Sequence, residues 1–187
     1  MIAVGIDPGS RVVGWGVVAH ESGRFCPVAA GAWTLSGESL SERLVDLHVS
    51  LGRLLVEQRP QAVAIEGIFS YRGARSALVL GHARGVALLA VAQAGIPLYE
   101  YPPATVKRSL THGGARSKEA VARAVRQVLR LGEEPLRADA TDALAIAICH
   151  LARGGAAMSP WRRALTDAEP ITPTPQNLLL RAARRHG

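Results

Sequence analysis

Ile2-Ala3-Val4-Gly5-Ile6-Asp7-Pro8-Gly9-Ser10 reads as a short apolar strand that ends on a carboxylate and turns at once. Working outward, residues 12–18 form a second β-type run holding Gly14 and Gly16, and a third lies near 27–35. Turns between them predict an antiparallel meander. Leu40, Leu44, Leu47, Leu51, Leu54 and Leu55 then recur at helical spacing over 39–58, and Pro60 stops that helix. Residues 62–66 are apolar until the final Glu66, the pattern of a strand buried on both faces. Helices are predicted over 75–93, 119–131 and 138–153, and a strand over 96–101. Strands followed by alternating helices and strands give an α/β class, a mixed sheet with helices on both faces.

The chain has 187 residues, of which 48% are hydrophobic, enough for one domain with a real core. From about Gly154 onward, Pro160, Pro170, Pro173 and Pro175 break any long element, so 154–187 is expected to be a flexible Pro- and Arg-containing tail. The longest apolar stretch of the first half, 86–92, falls short of the roughly 18 residues of a membrane span. No signal pattern opens the sequence, and Cys26 and Cys149 match no metal or disulfide framework. A cytoplasmic protein without a membrane partner is the expectation. The formal net charge of +7 points to a polyanionic partner, most simply nucleic acid. Of 22 basic residues only Lys107 and Lys118 are lysines, and both fall in one loop-like stretch.

Four carboxylates stand apart from the acids of solvated surfaces. Asp7 and Glu66 end apolar strands, and Asp139 and Asp142, three apart in Arg137-Ala138-Asp139-Ala140-Thr141-Asp142, share one face of the last helix. Taken singly, each has a plain alternative. Asp139 could be a helix N-cap, Asp142 a first-turn acid favoured by the helix dipole, and Asp7 the start of a turn. Together at the edge of an apolar core they would repel one another. Hard divalent cations with oxygen ligands, Mg²⁺ or Mn²⁺, would offset that repulsion. Two such ions about 4 Å apart can activate water against a phosphodiester.

At this point the sequence resembles the RuvC family, the bacterial Holliday junction resolvases of the RNase H-like superfamily. The resemblance rests on Gly5-Ile6-Asp7-Pro8-Gly9-Ser10, Ala64-Ile65-Glu66-Gly67-Ile68-Phe69 and Ser76-Ala77-Leu78 with Gly81-His82-Ala83-Arg84-Gly85. Glu100-Tyr101 with Val106-Lys107, and Asp139-Ala140-Thr141-Asp142-Ala143-Leu144-Ala145, complete it in the family's order. It implies an RNase H-like fold over 1–153 with a five-stranded mixed sheet. It also implies a homodimeric, metal-dependent endonuclease that cuts four-way DNA junctions by paired symmetric nicks. Asp7, Glu66, Asp139 and Asp142 would then be the catalytic, metal-binding acids, with two ions per site. Lys107 and Lys118 match lysines that contact junction DNA, and Phe69 matches a stacking aromatic. A RuvA–RuvB branch-migration complex is the implied partner. Gly67 stands where the family has a larger polar residue, His82 where it has Gln, and the stretch 110–117 departs from the usual pattern.

Residues 101–130 carry Lys107, Arg108, Arg116, Lys118, Arg123, Arg126 and Arg130 against one acid, Glu119. Arg72, Arg75 and Arg84 add a second basic stretch after Glu66. Phe69, Arg72, Arg75, Lys107, Arg108, Arg116 and Lys118 are the candidate DNA contacts, while a solvated helix face remains the alternative for Arg123, Arg126 and Arg130. Two matched nicks need two equivalent sites, which a two-fold homodimer supplies. The 75–93 helix is apolar enough to serve as core, interface or both. Two rival readings remain: a RuvC-like nuclease of RNA precursors, which shares the first motif but is not expected to match around Phe69 and Ser76, and a junction binder without catalysis, which keeps the basic patches but has no need of the four acids. A two-domain sugar-kinase-like ATPase shares the first turn but needs a longer chain.

Overall fold

The computed structural model describes residues 1–67, 73–111, 117–132 and 135–154. Within them β1 (Ile2–Asp7), β2 (Val12–Glu21), β3 (Arg24–Thr34), β4 (Ala62–Glu66) and β5 (Leu98–Tyr101) form one sheet in the order β3-β2-β1-β4-β5. β1 pairs antiparallel with β2, β2 antiparallel with β3, and β4 lies parallel to both β1 and β5. The five-stranded mixed sheet is therefore as the sequence predicts. The β2–β3 hairpin is longer than read: its strands run on to Glu21 and start again at Arg24, with a bulge at Val17/Val18. The last strand starts two residues later than read, at Leu98.

The period-two alternation of the strands feeds two cores. Val4, Ile6, Val13, Val17, Val63 and Ile65 face α1 (Leu40–Gln58) and α2 (Ala74–Gln93). Ala3, Val18, Ala64 and Tyr101 face α3 (Pro103–Leu110), α4 (Lys118–Leu129) and α5 (Ala138–Ala152). Ser39 and Glu42 form the capping box that starts α1. Arg59 closes it in the left-handed region, with Pro60 next. The helix α3 is a correction. The span containing Lys107 reads as loop, yet Pro at the first helical position presets φ, and Val106 and Leu110 anchor one short face in the core. α2 is long and apolar enough over its 20 residues to cross a membrane by length and composition alone. It packs on the sheet through Ala83, Ala87, Ala90 and Val91, and its Arg84 is buried.

α5 is buried along nearly its whole length, Ala140 through Leu151 with only Asp142 half-exposed. It reaches the sheet because β1 and β2 present glycines. A Cβ on Gly5 would stand 2.0 Å from the Ala143 carbonyl oxygen, and one on Gly14 2.0 Å from that of Asp139. One on Gly16 would meet Leu144 at 2.8 Å. Gly14 is also the register partner of Asp7. Gly14→Ala is accordingly expected to lower stability by about 1–3 kcal/mol, because helix backbone must move to admit one methyl. Gly52→Ala, in a helix with nothing within 4 Å of the new Cβ, should instead gain about 0.5–1 kcal/mol. Thermal melts of the two variants check the contrast, and equal effects would remove the close-approach argument.

Candidate active site

β1 is the central strand and β4 runs parallel beside it, so their carboxyl ends deliver Asp7 and Glu66 to the same edge. Asp7 shares its face with Ala3 and Gly5, and Glu66 shares its own with Ala62 and Ala64, the side on which α5 lies. The β1–β4 register ends at Ile6↔Ile65, one residue before the two acids, where continued pairing would set two carboxylates side by side. α5 starts above this edge. Its N-cap is Arg137, without a side-chain capping bond, so Asp139 sits in the first turn and is not the cap. Asp142 follows one turn on.

Asp7, Glu66 and Asp142 line one cleft of about 280 Å³ together with Lys107, Lys118, Pro103, Val106, Val121 and Ala145. Lys107 lies in the last turn of α3 and Lys118 at the first position of α4, which Ser117 caps. The two lysines thus enter the same cleft from separate helices. Lys118 Nζ stands 3.9 Å from Asp142 Oδ2, and Arg137 Nη2 stands 3.8 Å from Asp139 Oδ2. Both pairs are solvent-exposed, so they bias the acids without locking them. Asp139 does not line the cleft, but its charge acts on Asp7 and Asp142. Among the described residues no group of three His, Cys, Asp or Glu side chains is drawn close enough to hold a metal ion.

The electrostatics follow from this crowding. Burial, then repulsion from Glu66, Asp142 and Asp139, pushes Asp7 up to about 7, with Lys118 opposing. Glu66 is raised by burial and by Asp142, against Lys107 and Lys118. Asp142 is raised by burial, against Lys118, with Asp139 adding to the rise and Lys107 opposing it. Three raised acids lining one cleft mark it as the candidate site.

Other sequence-predicted residues fall elsewhere. Arg75, exposed in the first turn of α2, lines a neighbouring groove of about 530 Å³ with Pro8, Gly9, Ser10 and Ser76. Arg108 is exposed on α3, its Nη2 donating to Thr105 Oγ1 at 3.3 Å, outside the cleft lining. Phe69, Arg72 and Arg116 lie outside the described residues, as does the tail from 155. His150 is fully buried and shares a 2.9 Å hydrogen bond through Nδ1 with the Tyr101 hydroxyl. Sequence reading missed the cleft walls Pro103, Val106, Val121 and Ala145. They are apolar residues on helices whose packing partners lie far away in the chain.

A family profile described as "Crossover junction endodeoxyribonuclease RuvC" matches residues 3–150. The chain belongs to the RuvC family. It is 56% identical over 162 residues to the RuvC of Myxococcus xanthus (strain DK1622), covering 84% of each chain. It is 46% identical over 156 residues to that of Sorangium cellulosum (strain So ce56), covering 83% of this chain and 87% of the relative. The structure described as "T. thermophilus RuvC in complex with Holliday junction substrate" superposes with a TM-score of 0.76 at 37% identity, over 84% of this chain and 99% of that one. The RNase H-like architecture inferred from the sequence is thus the fold of this RuvC-family chain.

The acid cluster makes a stability prediction. Folding raises Asp7 from 3.8 to about 7, so the folded state holds that proton more tightly than the unfolded one. Its contribution is intact below pH 4 and is lost as pH rises through 7, by at most about 4 kcal/mol. In EDTA, Asp7→Asn should therefore melt above the wild type at pH 8, with the gap closing toward pH 4. A gap independent of pH would mean that burial and repulsion do not act on Asp7.

Proposed function

We propose that this chain is a metal-dependent endodeoxyribonuclease that resolves four-way DNA junctions in recombination and repair, cutting strands of like polarity by paired symmetric nicks. The observation that carries the reading is the meeting of Asp7, Glu66 and Asp142 with Lys107 and Lys118 in one cleft of a RuvC-family chain. Asp7, Glu66, Asp139 and Asp142 are its catalytic acids. Their all-oxygen donor set and raised Asp7 fit hard divalent cations, with Mg²⁺ or Mn²⁺, two per site, as the proposed cofactor. When bound, such ions activate the attacking water and stabilise the leaving oxygen.

The chain's own residues do the rest. Lys107 and Lys118 offset the negative charge of the cleft, so that a phosphate can approach carboxylates that would otherwise repel it. Arg75 and the groove beside Pro8-Gly9-Ser10 extend the positive track for the backbone next to Asp7. Phe69, Arg72, Arg108 and Arg116 complete the proposed DNA-facing set. A homodimer supplies the second nick. The outward face of α2, with Leu78 63% and Leu89 53% exposed, is the proposed interface. A RuvA–RuvB complex is the proposed partner. Residues 1–153 form the proposed nuclease domain, and 154–187 a separate tail.

A mobile four-way junction, incubated beside linear duplex of the same sequence with EDTA, Mg²⁺ or Mn²⁺, tests the reading. Paired symmetric nicks on the junction alone, only with metal, are expected. Asp7→Asn should abolish them and leave junction binding intact, because removing a charge lowers repulsion toward phosphate. Lys107→Ala should weaken binding and reduce the slope of log K against log salt by about 1. Equal cleavage of duplex, or of RNA, would overturn the substrate assignment.

A further inference from the structure

We propose that Arg84 is a positioning residue for strand cleavage, acting through the peptide that follows Glu66. The inference rests on Glu66 being a catalytic acid. Arg84 lies in the buried stripe Ala83, Arg84, Ala87, Ala90 and Val91 of α2, and only 7% of it is exposed. A guanidinium in such surroundings is costly unless its donors are used, so its partners explain its place. Nη2 lies 2.7 Å from Glu100 Oε1 on β5, and Nη1 donates to the main-chain carbonyl of Glu66.

That carbonyl is at a sensitive point. The β1–β4 register has already ended at Ile6↔Ile65, so β1 does not hold the strand end. The carbonyl of Glu66 and the N–H of Gly67 belong to one peptide plane. The N–H donates to the Tyr101 carbonyl at 2.8 Å, and Arg84 takes the opposite end. Two hydrogen bonds on one peptide fix its rotation, and with it the direction in which the Glu66 side chain leaves the strand. Arg84 reaches this plane from the α2 side of the sheet, while the Glu66 carboxylate faces the cleft on the α5 side. It therefore orients the acid without touching substrate. Glu100 holds the guanidinium aimed, which makes the pair one device.

A buried ion pair of purely structural value predicts something different, and the double variant separates the two. Arg84→Met leaves Glu100 unpaired and should melt early. Arg84→Met with Glu100→Leu removes both charges and is expected to regain thermal stability. On saturating Mg²⁺ and prebound junction, the double variant should still cleave about 10–100-fold more slowly, with junction Kd unchanged and a higher Mg²⁺ concentration for half-maximal rate. Wild-type rate and Mg²⁺ dependence in that variant would overturn the inference. Arg84→Lys keeps a cation for Glu100 but lacks the fork that reaches both partners. It should fold as the wild type and show the same loss of rate, so wild-type cleavage there would also overturn the proposal. Glu66→Gln is measured alongside. Cleavage that survives Glu66→Gln means that the reading of Glu66 fails, whereas its loss beside a fully active double variant means that only the positioning role fails.

Discussion

The seat of α5 on the glycines of β1 and β2 is the contact on which the rest of the site depends. A helix normally stands off a sheet by the length of the side chains between them. Here Gly5, Gly14 and Gly16 remove those side chains, and the helix backbone itself touches the strands. Gly14 is paired with Asp7 and abuts the main chain of Asp139, so one residue sets the spacing between two acids that lie far apart in sequence. The alanines of α5, Ala140, Ala143, Ala145 and Ala147, are the helix's half of the same close approach. A larger residue on either side would separate the carboxylates before it did anything else.

This closeness is held against electrostatics. Burial raises Asp7, Glu66 and Asp142 first, and neighbouring carboxylates add to it, Glu66, Asp142 and Asp139 on Asp7, Asp142 on Glu66 and Asp139 on Asp142, so the folded chain stores repulsion at the point where it acts. The hydrophobic cores on both faces of the sheet offset it, which is why acids are tolerable at the ends of strands as apolar as β1 and β4. The same repulsion is what a cation relieves, so stability forgone in the free protein becomes affinity in the loaded one.

Much of this was legible in the sequence because the signals were local. An apolar run that ends in Asp7, another that ends in Glu66, and two aspartates three apart before an Ala-rich helix all need only neighbours to be seen. The helices on both faces followed from the alternation of elements. The parts that escaped depend on distant partners. α3 is eight residues long behind two prolines, too short for periodicity to register, and its core contacts come from α4 and α5. Asp139 could be read as a cap because capping is a local pattern, whereas the helix starts at Ala138 with Arg137 as its cap, and the main chain of Asp139 lies against Gly14 of a distant strand. The α2 arginine was visible within a motif, but only Glu100, sixteen residues away, and the end of β4 give it a purpose.

The choice of cation at the cleft closes the argument. Arginine supplies every basic residue of this chain but two, and both exceptions line the acid cleft. Genome composition explains a preference for arginine but not where the exceptions fall. An arginine fork beside Asp142 would bind both carboxylate oxygens and hold them shut. Lys118, 79% exposed and 3.9 Å away, acts as a loose point charge. It lowers the cost of ionising Asp7, Glu66 and Asp142 while leaving their oxygens open to other partners. Where the chain needs a rigid clamp, at the buried end of β4, it uses Arg84. Where the carboxylates that line the cleft must stay available, it uses lysine, while Arg137 stands by Asp139 outside that lining.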